Sequence, residues 1–135
     1  LYGGIGMYSA AVAQDAAAVT LVESYPTACD DARHNLADLP SVQVVESTVE
    51  HFLTEQTATP DRVIVDPPPE GLSLAAIDAL TDMKIPRIVY VSSDAATLGR
   101  DAKRLSNHGY RLESVQPIDL SPQTYYVDSV VTMAL

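Results

Sequence analysis

The chain has 135 residues, 47% of them apolar, a formal net charge of −10 and one cysteine. That length supports a single domain with one hydrophobic core, and the apolar share argues against disorder. The charge argues against a grip on nucleic-acid phosphates by this piece alone, and a lone Cys29 excludes an internal disulfide or a thiolate metal site. With no run of about 18 apolar residues and no signal-peptide pattern, the expected setting is the reducing cytoplasm.

Leu1 is no natural start, so a fragment is expected. Leu1-Tyr2-Gly3-Gly4-Ile5-Gly6 reads as the end of a strand turning through glycines into a helix over about 7–16. Ala18–Glu23 follows as a strand. Pro26 suits the first turn of a helix whose buried stripe is Ala28, Cys29, Ala32 and Leu36. Val42–Val45 is a short strand, with a helix near 47–56 after it. Arg62–Val65 is a buried strand that ends at Asp66, halted by Pro67-Pro68-Pro69. Ser73 caps a helix carrying Ala76, Ile77, Leu80 and Met83.

Arg87–Val91 is the next strand. The helix after it places Ala95, Leu98, Ala102 and Leu105 on one face and stops at Gly109. Tyr110–Gln116 and Tyr125–Thr132 read as strands joined by a short Pro-containing loop, hence an antiparallel pair. Strands alternating with helices indicate a doubly wound, mostly parallel α/β sheet with a reversed last strand. In that class the first strand lies mid-sheet. Its reduction to a stub at Leu1-Tyr2 predicts a central gap, filled by upstream residues or by a partner.

Ligands in such sheets gather where strands turn into helices, at the carboxyl edge. Gly4 and Gly6 open one such turn, and Glu23 stands 17 residues past Gly6 at a strand end, where a carboxylate can accept ribose hydroxyls. A dinucleotide site and a methyl-donor site share that arrangement. Asp66 at its strand end either caps the next turn or enters the cleft. Ser92-Ser93-Asp94 has the composition of a helix N-cap, and no neighbouring base activates a serine there. Asp128 is either a water-facing edge residue or a general base. Six of the eight basic residues (Lys84, Arg87, Arg100, Lys103, Arg104 and Arg111) cluster around this stretch, as a solvated helix face or a substrate-facing patch.

The order of these features resembles the catalytic domain of the RNA 5-methyluridine (uracil-C5) methyltransferases along essentially the whole chain. Arg87–Asp101 and Val115–Val130 carry it most specifically, with Leu1–Gly6 and Asp66–Pro68 in support. The resemblance implies a class I S-adenosylmethionine (SAM) methyltransferase fold, SAM as cofactor, and transfer or ribosomal RNA as substrate, gripped by parts upstream of this chain. It implies that Gly4 and Gly6 lie along SAM, that Glu23 holds its ribose, and that Asp66 sits beside the donor and the target uracil. Gln123 and Arg100 fall on the substrate side. In the family a cysteine thiolate adds to uracil C6, C5 takes the methyl group, and a carboxylate removes the C5 proton.

Two departures stand out. Ser93 occupies the cysteine nucleophile's position and Asp128 that of the glutamate base. Gly3, Pro69 and Asp94-Ala95 also depart from the family pattern, and Thr48 stands where many SAM enzymes carry an acid near the adenine. These changes leave open an inactive relative that binds SAM or RNA, and a methyltransferase with a different acceptor that needs no covalent adduct. A nicotinamide-binding domain explains the glycines and Glu23 but leaves the Asp66, Ser93 and Gln123 blocks unexplained.

Overall fold

In the computed structural model, which describes all 135 residues, the chain divides into two units, Leu1–Glu55 and Gln56–Leu135. The first contains helix α1 (Met7–Val12), strand β1 (Val19–Glu23), helix α2 (Pro26–Asn35), strand β2 (Val42–Glu46) and helix α3 (Val49–Glu55). β1 and β2 pair in parallel, from Val19 opposite Val42 to Glu23 opposite Glu46. Parallel neighbours need a crossover, and α2 supplies it. Its Pro26 lies in the first turn, where an N–H would have no partner within the helix. Leu21, Ala32 and Leu36 form this unit's core, with Ala10, Leu39, Val42 and Val44 packed against it. Burying each leucine contributes roughly 1.5–3 kcal/mol.

The expected strand stub at Leu1-Tyr2 is not a strand. Tyr2 takes a φ of 56°, which leaves the extended region and ends any ladder. One backbone bond, from Gly3 N–H to the Val22 carbonyl at 2.9 Å, ties the segment to β1. Helix α1 is also shorter than its apolar run. Both the Asp15 and Ala16 amides turn back onto the Val12 carbonyl, at 3.1 Å each, and close it there.

The second unit contains strand β3 (Val63–Val65), helix α4 (Leu74–Asp82), strand β4 (Arg87–Ser92), helix α5 (Ala95–Asn107), strand β5 (Arg111–Ile118) and strand β6 (Asp128–Ala134). Their sheet has the order β3-β4-β6-β5. β3 and β4 are parallel, and β6 runs antiparallel to both β4 and β5. Ile88, Tyr90 and Ser92 are buried and lie directly opposite buried Met133, Val131 and Ser129, so one face of this sheet is covered. The Ser73 Oγ accepts the Ala76 N–H at 3.1 Å, the cap expected for α4. No helix is long and apolar enough to cross a membrane.

β6 begins three residues later than its aromatic, β-branched run suggested. Ser121–Thr124 closes a turn through the Thr124 N–H to the Ser121 carbonyl at 3.2 Å, and Tyr125 and Tyr126 project into solvent. Strand propensity reflects packing on a half-buried surface. These two tyrosines have none, whereas Met133 and Ala134 at the far end are buried and paired.

Candidate functional site

In the first unit, the glycine turn and the end of β1 meet. The Gly4 N–H donates to Glu23 Oε2 at 2.9 Å. The other carboxylate oxygen, Oε1, accepts the Ser24 N–H at 2.7 Å and the Tyr25 N–H at 2.9 Å. Burial alone would raise the Glu23 pKa, but the amides of Tyr25, Gly4 and Ser24 outweigh it and hold the carboxyl below its ordinary value. Glu23 is therefore an anion clamped by backbone donors, with lone-pair capacity left on Oε2 for a further hydroxyl.

The two predicted glycines differ. A side chain at Gly4 would meet open space, so the backbone there leaves room beside Glu23. Gly6 is buried, has a φ of 97°, and an added Cβ would lie 2.7 Å from Leu36 Cδ1. Its role in this structure is a left-handed turn and close packing. Gly3 is equally constrained, since a side chain there would collide with Leu21. Leu21 fills the space that a larger residue at position 3 would need.

A hollow of about 120 Å³ adjoins Glu23, lined among others by Tyr2, Val22, Ser47, Thr48 and Val49. Apolar walls from the two valines and hydroxyls from Ser47 and Thr48 suit a flat heterocycle with a polar edge. Thr48, which departs from an acid at this place, lines the hollow together with Glu50, and Glu46 does not.

In the second unit, strand pairing sets the predicted acceptor residues along one sheet edge. Val65 pairs with Tyr90, so Asp66 leaves β3 level with the last residues of β4. Ser92 pairs with Ser129 and Ile118 with Asp128, which puts Asp128 at the start of β6 across from the turn that carries Ser93. The cap composition resolves onto one residue. Asp94 Oδ1 accepts the Thr97 N–H at 2.8 Å, and Ser92 Oγ receives the Asp94 N–H at 3.1 Å while donating to the Asp94 carbonyl at 2.9 Å. The Thr97 amide bond, ahead of the smaller contributions, holds the Asp94 carboxyl below its usual pKa. Ser93 is exposed and stands outside this cap. Gln123 has a φ of 67° and lies exposed in the β5–β6 loop.

Arg100 is engaged within the protein. Its Nη2 donates to the Glu70 carbonyl at 2.7 Å and its Nε to Asp101 Oδ1 at 2.8 Å. Sequence reasoning missed Asp101, which is fully buried. Its signal was present: an acid at the middle of the Leu98, Asp101, Leu105 spacing of an otherwise apolar stripe. The expected stripe members Ala95 and Ala102 are exposed and half-buried instead.

No protein-family model matches the chain. In sequence it is 38% identical over 135 residues to an uncharacterized RNA methyltransferase of Thermotoga maritima, across 98% of this chain and 31% of that protein. It is 40% identical over 134 residues to one from Gloeobacter violaceus, across 98% of this chain and 29% of that protein. The chain thus spans about 30% of the length of the curated relatives it matches. Its structure superposes on the Pyrococcus abyssi tRNA (uracil-54, C5)-methyltransferase, in complex with S-adenosyl-L-homocysteine, with a TM-score of 0.86 and 29% identity, over 98% of this chain and 33% of that one. NSun6 from Pyrococcus horikoshii, with SFG, gives a TM-score of 0.81 at 13% identity, over 98% and 46% of the two chains. The mixed α/β architecture with a reversed last strand is that of the class I SAM-dependent methyltransferases.

Proposed function

We propose that residues 1–135 form the SAM-binding catalytic domain of a cytoplasmic RNA methyltransferase of the uracil-C5 type, with Ser93 at the nucleophile position. The observation that carries the donor half is the Gly4–Glu23 bond at 2.9 Å beside open space and the adjoining hollow. These residues fit SAM: Glu23 offers an anionic acceptor to the ribose, Gly4 a backbone without a side chain, and the hollow a seat for the adenine. Bound SAM would supply an electrophilic methyl group. The names of the relatives and the tRNA uracil-C5 enzyme among the solved structures support an RNA acceptor.

On the acceptor side, a nucleophile at position 93 gives up its proton and adds to C6 of the uracil, which makes C5 electron-rich toward the methyl group that bound SAM would supply. Asp128 removes the C5 proton, and the bond to C6 breaks to release the product. Asp66 hydrogen-bonds the ring. A cysteine, with a thiol pKa of about 8.5, is a few per cent thiolate at neutral pH. An alcohol ionises far less and is the weaker nucleophile, so Ser93 slows the first step severely. Asp128 reaches one methylene less far than a glutamate would.

Tritiated SAM, uridine-containing RNA and calorimetry, applied to the full-length protein, test this reading. The chain binds SAM, and Ser93→Cys raises methyl transfer by about 100-fold or more over wild type. Absence of SAM binding, or transfer unchanged by both Ser93→Cys and Ser93→Ala, refutes it. A second reading, a relative that binds SAM without methylating, is favoured by the exposed Ser93 side chain, which stands outside the helix cap formed by Asp94. SAM binding with no transfer in wild type or in Ser93→Cys would select it.

A further inference from the structure

The loop from Asp66 to Leu72 joins β3 to α4, and its Pro67, Pro68 and Pro69 have no N–H to donate. The prolines leave the loop few amides of its own to fasten it, and one face of α5 adds the rest, with residues spaced i, i+3 and i+4. Thr97 Oγ1 donates to the Pro69 carbonyl at 2.9 Å, Arg100 Nη2 donates to the Glu70 carbonyl at 2.7 Å, and Asp101 Oδ2 accepts the Leu72 N–H at 2.7 Å. The same Asp101 oxygen accepts the Tyr90 hydroxyl at 2.8 Å, and Arg100 Nε holds the other oxygen at 2.8 Å. Gly71 completes the fit. It has a φ of 78°, its N–H reaches the Pro68 carbonyl at 2.8 Å, and an added Cβ would collide with Asp101 and lie 2.6 Å from Arg100 Nη2.

The parts joined here are the ones that matter for the acceptor. The loop begins at Asp66, α5 begins at the Ser93-Asp94 turn, and Tyr90 lies three residues before Ser93. The geometry points to Thr97, Arg100 and Asp101 as positioning residues that latch the Asp66 loop to the turn carrying Ser93. The roles of Asp66 and Ser93 rest on the function proposed above. Arg100, expected on the substrate side, acts here through its neighbours.

The test uses the full chain with Ser93→Cys, the introduced thiol serving as reporter. A neighbouring carboxylate raises a thiol's pKa, and only the thiolate is alkylated. The pH midpoint of its reaction with iodoacetamide therefore reads how closely Asp66 is held, while Asp128 is unaltered and Asp94 keeps its cap bond to the Thr97 amide in every variant. Cys29 is fully buried and reacts only on unfolding. Adding Thr97→Val or Asp101→Asn lowers the midpoint by about half a unit. Adding Asp66→Asn lowers it likewise and cancels any further effect of the latch substitutions. The far-UV circular dichroism is unchanged throughout, and the SAM Kd stays within twofold on adding Thr97→Val or Asp101→Asn. A midpoint unmoved by Thr97→Val and Asp101→Asn overturns the latch, as does a shift that survives Asp66→Asn or one that tracks loss of the dichroism signal. If no variant bound SAM, the proposed function would fall, while the thiol series would still decide the latch.

Discussion

Replacing Asp101 by alanine removes one carboxylate from the interior and strands what it served. The buried Leu72 N–H loses its acceptor at 2.7 Å, the Tyr90 hydroxyl loses its acceptor at 2.8 Å, and Arg100 loses its ionic partner at 2.8 Å. Each buried donor left without an acceptor costs about 1–3 kcal/mol. The guanidinium is partly exposed and regains water. The two stranded donors together predict a loss of about 2–6 kcal/mol. Asp101→Asn keeps an acceptor oxygen and costs about 1–2 kcal/mol, similar to Tyr90→Phe. Urea unfolding followed by circular dichroism measures all three, and a double-mutant cycle between Tyr90→Phe and Asp101→Ala shows a coupling of about 1 kcal/mol or more. A loss below about 1 kcal/mol for Asp101→Ala, or strict additivity in the cycle, refutes the buried-hub argument.

Four further outcomes follow from the same geometry. Glu23→Ala removes the acceptor facing the hollow and weakens SAM binding by roughly 10- to 100-fold, read by calorimetry, with the far-UV circular dichroism of the folded chain unchanged. Because backbone donors hold the Glu23 carboxyl below its ordinary range in the folded chain, its contribution to stability is present above about pH 4.5 and is lost as pH falls through the folded-state value. Glu23→Gln flattens that acid limb in a stability–pH series. At the other end, burial first and the Asp101 bond second raise the Tyr90 pKa above that of an ordinary tyrosine. The unfolded chain then ionises before the folded one, so stability falls as pH rises beyond about 10, and Tyr90→Phe reduces the slope. Gly6→Ala places a Cβ at a φ of 97° against Leu36 and costs about 1–3 kcal/mol by thermal unfolding.

Local pattern alone determined the alternation of strands and helices, the Ser73 cap, the Pro26 start of α2 and the antiparallel final pair, because each depends on residues within one or two turns of each other. It also marked Gly4 and Glu23, since a glycine turn and a strand-end acid carry their chemistry in residue type and spacing. Tertiary structure decided the remainder. The Gly4–Glu23 bond spans 19 residues and the Leu72–Asp101 bond spans 29. No periodicity predicts that Arg100 turns back onto Glu70, or that Asp94 takes the cap and leaves Ser93 outside it. The stub at Leu1-Tyr2 and the start of β6 were misjudged for one reason: strand propensity describes a side chain's fit to a neighbouring surface. Whether that surface exists beside Tyr2 or Tyr125 is settled by segments distant in the chain. Burial of Asp101 is the clearest case, since a charged residue enters a core only where hydrogen-bond donors from several elements converge on it, and that convergence exists only in the fold.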